Sequence, residues 1–143
     1  MPTIVLETDI CATPETCFDL IRDERIYAGP AAAIFGDLGP GQTITFRSTF
    51  FGMTQKLTVK VVEYERPRLL VDEMIEGNFR SFRHMHEFTE TENGIVMTDT
   101  LIWELPLGIL GQIVDRLLLE GNLTRLVSTR NTRLKAIAES HRA

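Results

Sequence analysis

Several features that would define a class of protein are scarce or missing in this chain of 143 residues. No apolar run approaches the roughly 20 residues that a membrane-spanning helix needs, and no charged-then-apolar leader opens the chain. There is no glycine-rich phosphate-binding loop, and no serine lies in the context of a nucleophile elbow. We therefore expect a cytoplasmic protein whose contact with membranes is at most peripheral.

Cysteine is also scarce, and Cys11 and Cys17 are the only two in the chain. Their spacing matches no usual ligand pattern of a metal centre and no dithiol motif of a redox centre. We predict two reduced thiols. The sequence indicates no cofactor.

Positive charge is in short supply in most of the chain. Residues 1–106 carry 17 acidic and 9 basic side chains, whereas residues 107–143 carry 3 and 6. An acidic body repels phosphate backbones, so we expect no nucleic-acid partner. We interpret the basic side chains of the C-terminal part as the solvated face of a helix.

What the sequence does contain predicts a single α+β domain over residues 1–143. Alternating apolar and polar residues predict strands at 3–10, 42–51, 54–65, 69–76, 82–88 and 95–105. Thr13-Pro14 marks the start of a short helix, and a second short helix is predicted within 26–35. From Leu107 onward apolar residues recur every three or four positions, which predicts a long C-terminal helix that Gly121-Asn122 kinks or splits.

Two of the predicted strands place titratable side chains on an apolar face. In strand 82–88 the period of two puts His84 and His86 between Phe82 and Phe88. In strand 95–105 Asp99 interrupts an otherwise apolar face. Polar groups in apolar surroundings need partners, so the two faces together predict a pocket that holds the imidazoles and the carboxylate.

Other strands and the C-terminal helix supply further candidates for this pocket. In strand 69–76 we expect Asp72 to point inward. If the inward positions of this strand are shifted by one residue, Glu73 points inward instead. The indole N–H of Trp103 needs a partner, which favours a place at the pocket mouth. The expected apolar walls are Phe46, Phe50, Met74, Phe82, Met97, Leu101, Trp103, Leu123 and Val127.

The order of elements resembles the START-like, helix-grip superfamily, often labelled SRPBCC. Three stretches carry the resemblance. They are Ala12-Thr13-Pro14-Glu15-Thr16-Cys17-Phe18-Asp19-Leu20, Gly77-Asn78-Phe79-Arg80-Ser81-Phe82-Arg83-His84-Met85-His86-Glu87-Phe88, and Met97-Thr98-Asp99 with Trp103-Glu104-Leu105-Pro106-Leu107-Gly108. The similarity covers nearly the whole chain and is greatest to small bacterial members.

The resemblance implies a curved antiparallel sheet of about seven strands around the C-terminal helix, with two short helices after the first strand. It also implies a small hydrophobic ligand, such as a lipid, a polyketide or an isoprenoid, between sheet and helix. Because the superfamily includes carriers, binding modules and enzymes, the fold alone does not name a reaction.

Three functions stay open. The first is a carrier or binding module for that hydrophobic ligand. The second is a polyketide cyclase/dehydratase-like enzyme that uses His84, His86 and Asp99 for acid–base chemistry. The third is a regulatory module or homodimer that docks through the segment 107–119, where Leu117-Leu118-Leu119 could otherwise serve as a gate.

The histidines and Asp99 also allow two readings that involve no reaction. One is a hydrogen-bonded network that fixes strand register. The other is a metal site, because alternate strand positions bring two imidazoles onto one face. A third ligand, Asp99 or Asp72, would have to converge on them through strand register, so the sequence by itself assigns no metal.

Overall fold

A computed structural model describes residues 2–27, 32–50, 53–106 and 116–140. These residues form seven strands, two α-helices and one short 3-10 helix. The elements in chain order are β1 (Thr3–Ile10), α1 (Pro14–Leu20), the 3-10 helix (Glu24–Tyr27), β2 (Ala32–Gly36), β3 (Thr43–Phe50), β4 (Met53–Glu65), β5 (Leu69–Glu76), β6 (Ser81–Thr91), β7 (Gly94–Glu104) and α2 (Arg116–Ser140).

The strands form one antiparallel sheet in the order β1-β7-β6-β5-β4-β3-β2. Each strand from β2 onward pairs with the next one along the chain, and β7 then returns to pair with β1. The predicted α+β architecture of about seven strands and a long C-terminal helix is confirmed. The inward orientation predicted for Asp72 in β5 is also confirmed, because its side chain is buried.

The prediction for residues 26–35 was wrong in its second half. The 3-10 helix ends at Tyr27, and Ala32–Gly36 is strand β2, which pairs with β3. A short apolar run rich in alanine has no period that separates a strand from a helix. These residues form a strand because they pair with the edge of β3, and the local sequence gives no sign of that pairing.

Helix α1 begins as the sequence predicts. The hydroxyl of Thr13 accepts a hydrogen bond from the backbone N–H of Thr16 at 3.2 Å, and Pro14 occupies the first turn. The helix buries Cys17 and Phe18 completely. Both cysteines are free thiols, and burial, with a smaller contribution from the charge of Glu139, raises the pKa of Cys17 to about 12.

Helix α2 is continuous from Arg116 to Ser140, so the prediction that Gly121-Asn122 splits it was wrong. A helix tolerates one glycine at a modest cost in stability when its neighbours pack well. The predicted helical turns between Leu107 and Asp115 lie outside the described residues, as does the side chain of Leu118. Among the helices that the structure describes, none is long and apolar enough to cross a membrane.

The side of α2 that faces the sheet contributes to two apolar clusters. The first cluster joins Leu134 and Ala138 to α1 and the sheet, and its largest members include Phe18, Ile21, Leu70, Phe88, Ile95 and Met97. The second cluster joins Leu119, Leu123 and Val127 to Phe82, Leu101 and Trp103. The part of α2 between the two clusters carries Arg130 and Asn131.

Candidate functional site

The alternation of buried residues along β6 and β7 places three titratable side chains beneath α2. Phe82, His84, His86 and Phe88 are buried on one face of β6, while Arg83 and Glu87 on the other face are not. Asp99 has the same orientation in β7 and is completely buried. The predicted interior position of both histidines and of Asp99 is therefore confirmed.

Each carboxylate makes its shortest contact with the histidine diagonal to it, and not with the one opposite. In the register of the sheet, Asp72 of β5 lies opposite His84 and Asp99 lies opposite His86. Nevertheless Asp72 Oδ2 lies 3.1 Å from His86 Nε2, and Asp99 Oδ1 lies 2.7 Å from His84 Nε2. The imidazole rings stack with their centroids 3.8 Å apart. Asp99 Oδ1 is also 3.3 Å from His86 Nδ1, so this carboxylate touches both rings.

Helix α2 closes the cluster with two polar side chains. Arg130 Nη2 donates to Asp99 Oδ1 at 2.5 Å, and its Nη1 lies 3.4 Å from His86 Nδ1. Asn131 Nδ2 donates to Asp99 Oδ2 at 2.7 Å, while Asn131 Oδ1 accepts from Arg130. Asp99 thus forms hydrogen bonds with side chains of the sheet and of helix α2. We call Asp72, His84, His86, Asp99, Arg130 and Asn131 the polar cluster.

The pKa values of the two imidazoles of the polar cluster are shifted in opposite directions. Burial, reinforced by the neighbouring charge on His86, lowers the pKa of His84 from 6.5 to about 4. His84 is therefore neutral at pH 7, and its Nε2–H donates to the carboxylate of Asp99. Burial also lowers the pKa of His86, but its hydrogen bonds to Asp72 and Asp99 outweigh burial, so the pKa is raised overall.

Asp99 stays ionised although it is fully buried. Burial alone would raise its pKa, but the charge of Arg130 and hydrogen bonds from His84 and His86 hold the pKa well below 3.8. The guanidinium of Arg130 responds in the opposite direction, since Asp99 outweighs the effect of burial and raises its pKa. The two groups form a buried ion pair between sheet and helix.

The structure brings some predicted site residues together and separates others. Asp72 joins the polar cluster, and the second apolar cluster beside it contains Phe82, Leu101, Trp103, Leu123 and Val127, with partly buried Met74 packed against it. Met97 and partly buried Phe46 belong instead to the first cluster. The side chain of Phe50 lies outside the described part of the structure.

The prediction for Trp103 needs a correction. Only 1% of this side chain is exposed, and it packs among Leu101, Leu119 and Leu123. The large apolar area of the indole outweighs the preference of its single N–H for a wet position. The ring is part of the apolar interior and does not lie at an exposed opening.

Two members of the polar cluster were missed by the sequence prediction. The basic residues of the C-terminal helix were interpreted as solvated, yet only 6% of Arg130 and 3% of Asn131 are exposed. A signal was present in the apolar stripe itself. Buried Val127 and Leu134 are seven positions apart, and a continuous inner face requires a member at 130 or 131 between them. Polar residues at these positions indicate a buried partner on the sheet.

Comparisons of sequence find no relative, whereas comparisons of structure find many. No family model and no curated protein matches the chain. The crystal structure of TTHA0849 from Thermus thermophilus matches with a TM-score of 0.77 at 20% identity, over 96% of this chain and 99% of that one. A START superfamily protein from Mycobacterium smegmatis matches with a TM-score of 0.73 at 12% identity, over 96% and 97% of the two chains. The chain has the START-like, helix-grip fold.

Another START-like neighbour is the di-domain ARO/CYC StfQ from the steffimycin biosynthetic pathway. It matches with a TM-score of 0.72 at 18% identity over 96% of this chain, which spans 51% of StfQ. Identities this low show a common fold alone. The resemblance inferred from the sequence motifs is confirmed at the level of the fold. The cavity itself and the roles of individual residues stay predictions.

Proposed function

We propose that the chain binds a small amphiphilic ligand between the sheet and α2, as a carrier or binding module. The apolar body of the ligand would lie against the second apolar cluster, and a polar group would meet His84. The observation that carries this proposal is the junction of that cluster with the polar cluster. Phe82 and His84 are neighbours on the inner face of β6, so the apolar surface of the second cluster lies directly beside side chains that form hydrogen bonds.

His84 is the member of the polar cluster that best suits contact with a ligand. Its side chain is 9% exposed, compared with 1% for His86 and 0% for Asp99. Because its Nε2–H is donated to ionised Asp99, the neutral ring keeps the lone pair of Nδ1 as an acceptor. A hydroxyl or enol group on a lipid, polyketide or isoprenoid would satisfy that acceptor.

The fluorescence of Trp103 offers a direct test, because it is the only tryptophan and lies in the second cluster. We expect a fatty acid, an isoprenoid quinone or an aromatic polyketide to change this emission saturably. Native mass spectrometry of protein from its own host should show a retained apolar molecule. Leu123→Phe, which adds a bulky ring to the second cluster that contains Trp103, should weaken binding at least tenfold.

A matched substitution on the outside of the sheet controls for general effects. Val5 of β1 is 56% exposed, so Val5→Phe adds an aromatic ring without touching the interior and should leave affinity unchanged. Equal loss of affinity in both variants would contradict the proposed location. No retained molecule together with no change in emission for any ligand class would contradict binding itself.

A second candidate, an enzyme of the cyclase/dehydratase type, is favoured by one observation. The 2.7 Å bond between His84 and Asp99 orients a neutral imidazole, as a general base requires. Substitution of Asp99 would disturb the ion pair with Arg130, so His84→Gln is the sharper test. An enzyme would lose turnover of a bound ketone in this variant and keep binding, whereas a carrier shows no turnover in either protein.

A further inference from the structure

We propose that Asp72, His84 and His86 bind a divalent transition-metal ion of the zinc class. One ligand atom from each of these three side chains lies within 4.8 Å of the other two, and all three residues are buried. Strand register supplies the third ligand that the sequence could not assign, because β5 places Asp72 beside the His-x-His pair of β6. This inference does not depend on the proposed hydrophobic ligand. With a metal bound at His84 Nδ1, the polar group of that ligand would meet the metal in place of His84.

The other carboxylate of the polar cluster acts as an orienting group. Asp99 Oδ1 lies 2.7 Å from His84 Nε2 and 3.3 Å from His86 Nδ1, so it touches one nitrogen of each ring. Histidines that bind metals usually donate their other ring N–H to a carboxylate, which fixes the tautomer. His84 donates Nε2–H to Asp99, which leaves its Nδ1 for a metal. His86 Nδ1 accepts from Arg130, which leaves Nε2, on the side of Asp72, as the nitrogen that a metal would bind in place of its proton.

Charge in the polar cluster also favours a cation. Two carboxylates, Asp72 and Asp99, face one guanidinium, that of Arg130, so these three groups carry a net negative charge that attracts a cation. Arg130 does not block the position. Its Nη1 lies 3.4 Å from the Nδ1 end of His86, whereas Asp72 contacts the Nε2 end of the same ring.

The chemistry of the donors selects the class of metal. Two imidazole nitrogens and one carboxylate oxygen suit borderline ions such as Zn²⁺ or Fe²⁺, with bonds of about 2.0–2.2 Å. Three protein ligands leave a fourth position for water or for an oxygen of a bound molecule, as in zinc sites that carry out catalysis. Asp72 would exchange its hydrogen bond with His86 for a bond to the metal.

The first experiment adds Zn²⁺ or Co²⁺ to protein stripped with a chelator. We expect one equivalent to bind, measured by competition with a chromogenic chelator, and we expect Co²⁺ to give visible bands of a four- or five-coordinate site. Asp72→Asn should weaken Zn²⁺ binding at least tenfold. Glu73→Gln should leave it unchanged, since Glu73 faces the other side of β5 and contacts Arg83.

A second readout uses the unmodified protein, so it does not depend on whether a variant folds. Long-range ¹H–¹⁵N spectra of the imidazoles should show that Zn²⁺ shifts His84 Nδ1 and His86 Nε2, while His84 Nε2 stays protonated toward Asp99. Absence of stoichiometric binding would overturn the proposal. So would a Co²⁺–thiolate charge-transfer band, which would place the metal at a cysteine, or ¹⁵N shifts confined to His141.

Discussion

At the scale of single residues, the behaviour of His84 and His86 is set by which carboxylate each one reaches. Their rings are stacked 3.8 Å apart on adjacent inward positions of one strand, where two positive charges would repel strongly. The contacts with Asp72 and Asp99 resolve this conflict, because His86 touches both carboxylates whereas His84 is bonded to Asp99 and so receives the smaller share of negative charge. Two imidazoles only two positions apart along β6 therefore have pKa values displaced in opposite directions.

This difference predicts two separate titrations in the metal-free protein. Imidazole NMR signals should give a midpoint near 4 for His84 and one above the ordinary value for His86. Because the unfolded chain binds the His84 proton more readily, this residue makes stability fall as pH drops from 6.5 toward 4. His86 acts in the reverse sense, so its contribution is present below pH 6.5 and is lost as pH rises through its folded pKa.

Assignment of the signals follows from His84→Gln and His86→Gln. A midpoint for His84 near 6.5, its ordinary value, would show that its ring is solvated, contrary to the geometry. If both residues titrated together at an unshifted pH, the diagonal pattern of hydrogen bonds would be wrong.

At the scale of elements, the strength of the local pattern determines how much the sequence predicts. Strand β7 alternates over all eleven of its residues and β6 over its first eight, so their faces and the inward histidines and Asp99 follow from the sequence. Strand β2 is five residues long with no alternation, and only its partner β3 defines it. Arg130 escaped prediction because its burial depends on a carboxylate contributed by a distant strand.

Two glycines in different elements predict opposite effects of the same substitution. Gly94 begins β7 with φ of +153°, and a Cβ there would collide with the carbonyl oxygen of Ile10 in β1. Gly94→Ala should therefore destabilise the protein by about 1–3 kcal/mol. Gly121 lies within α2, where a Cβ would meet nothing within 4 Å, so Gly121→Ala should stabilise it by roughly 0.5–1 kcal/mol.

Urea unfolding of both variants measures this difference directly. Each protein loses one glycine and gains one methyl group, so a general effect of alanine would have the same sign in both. Stabilisation by Gly94→Ala would mean that the hairpin between β6 and β7 is further from β1 than described.

At the scale of the whole molecule, the ion pair between Asp99 and Arg130 joins the two layers. Asp99 is at the centre of β7, Arg130 is in α2, and apolar clusters lie on both sides of them. Removal of one partner from a buried pair leaves a charge without compensation. We expect Asp99→Asn to cost about 3–5 kcal/mol of the free energy of unfolding.

A double-mutant cycle with Arg130→Met tests the coupling. The double variant should be more stable than the sum of the single effects predicts, by roughly 0.5–3 kcal/mol. The exposed pair between Arg66 and Asp19, at 2.8 Å, provides the control, and Asp19→Asn should cost less than about 1 kcal/mol. Comparable losses for Asp99→Asn and Asp19→Asn would refute the role of the buried pair.

The position of Arg130 and Asn131 in the chain has a consequence for synthesis on the ribosome. Every strand of the sheet precedes them, so the nascent chain carries Asp72 and Asp99 before the guanidinium that balances them has been made. Burial of two carboxylates without that partner is unfavourable. The inner face of the nascent sheet must therefore stay hydrated until residue 131 has been synthesised. Water leaves this face when α2 is complete and packs against the sheet.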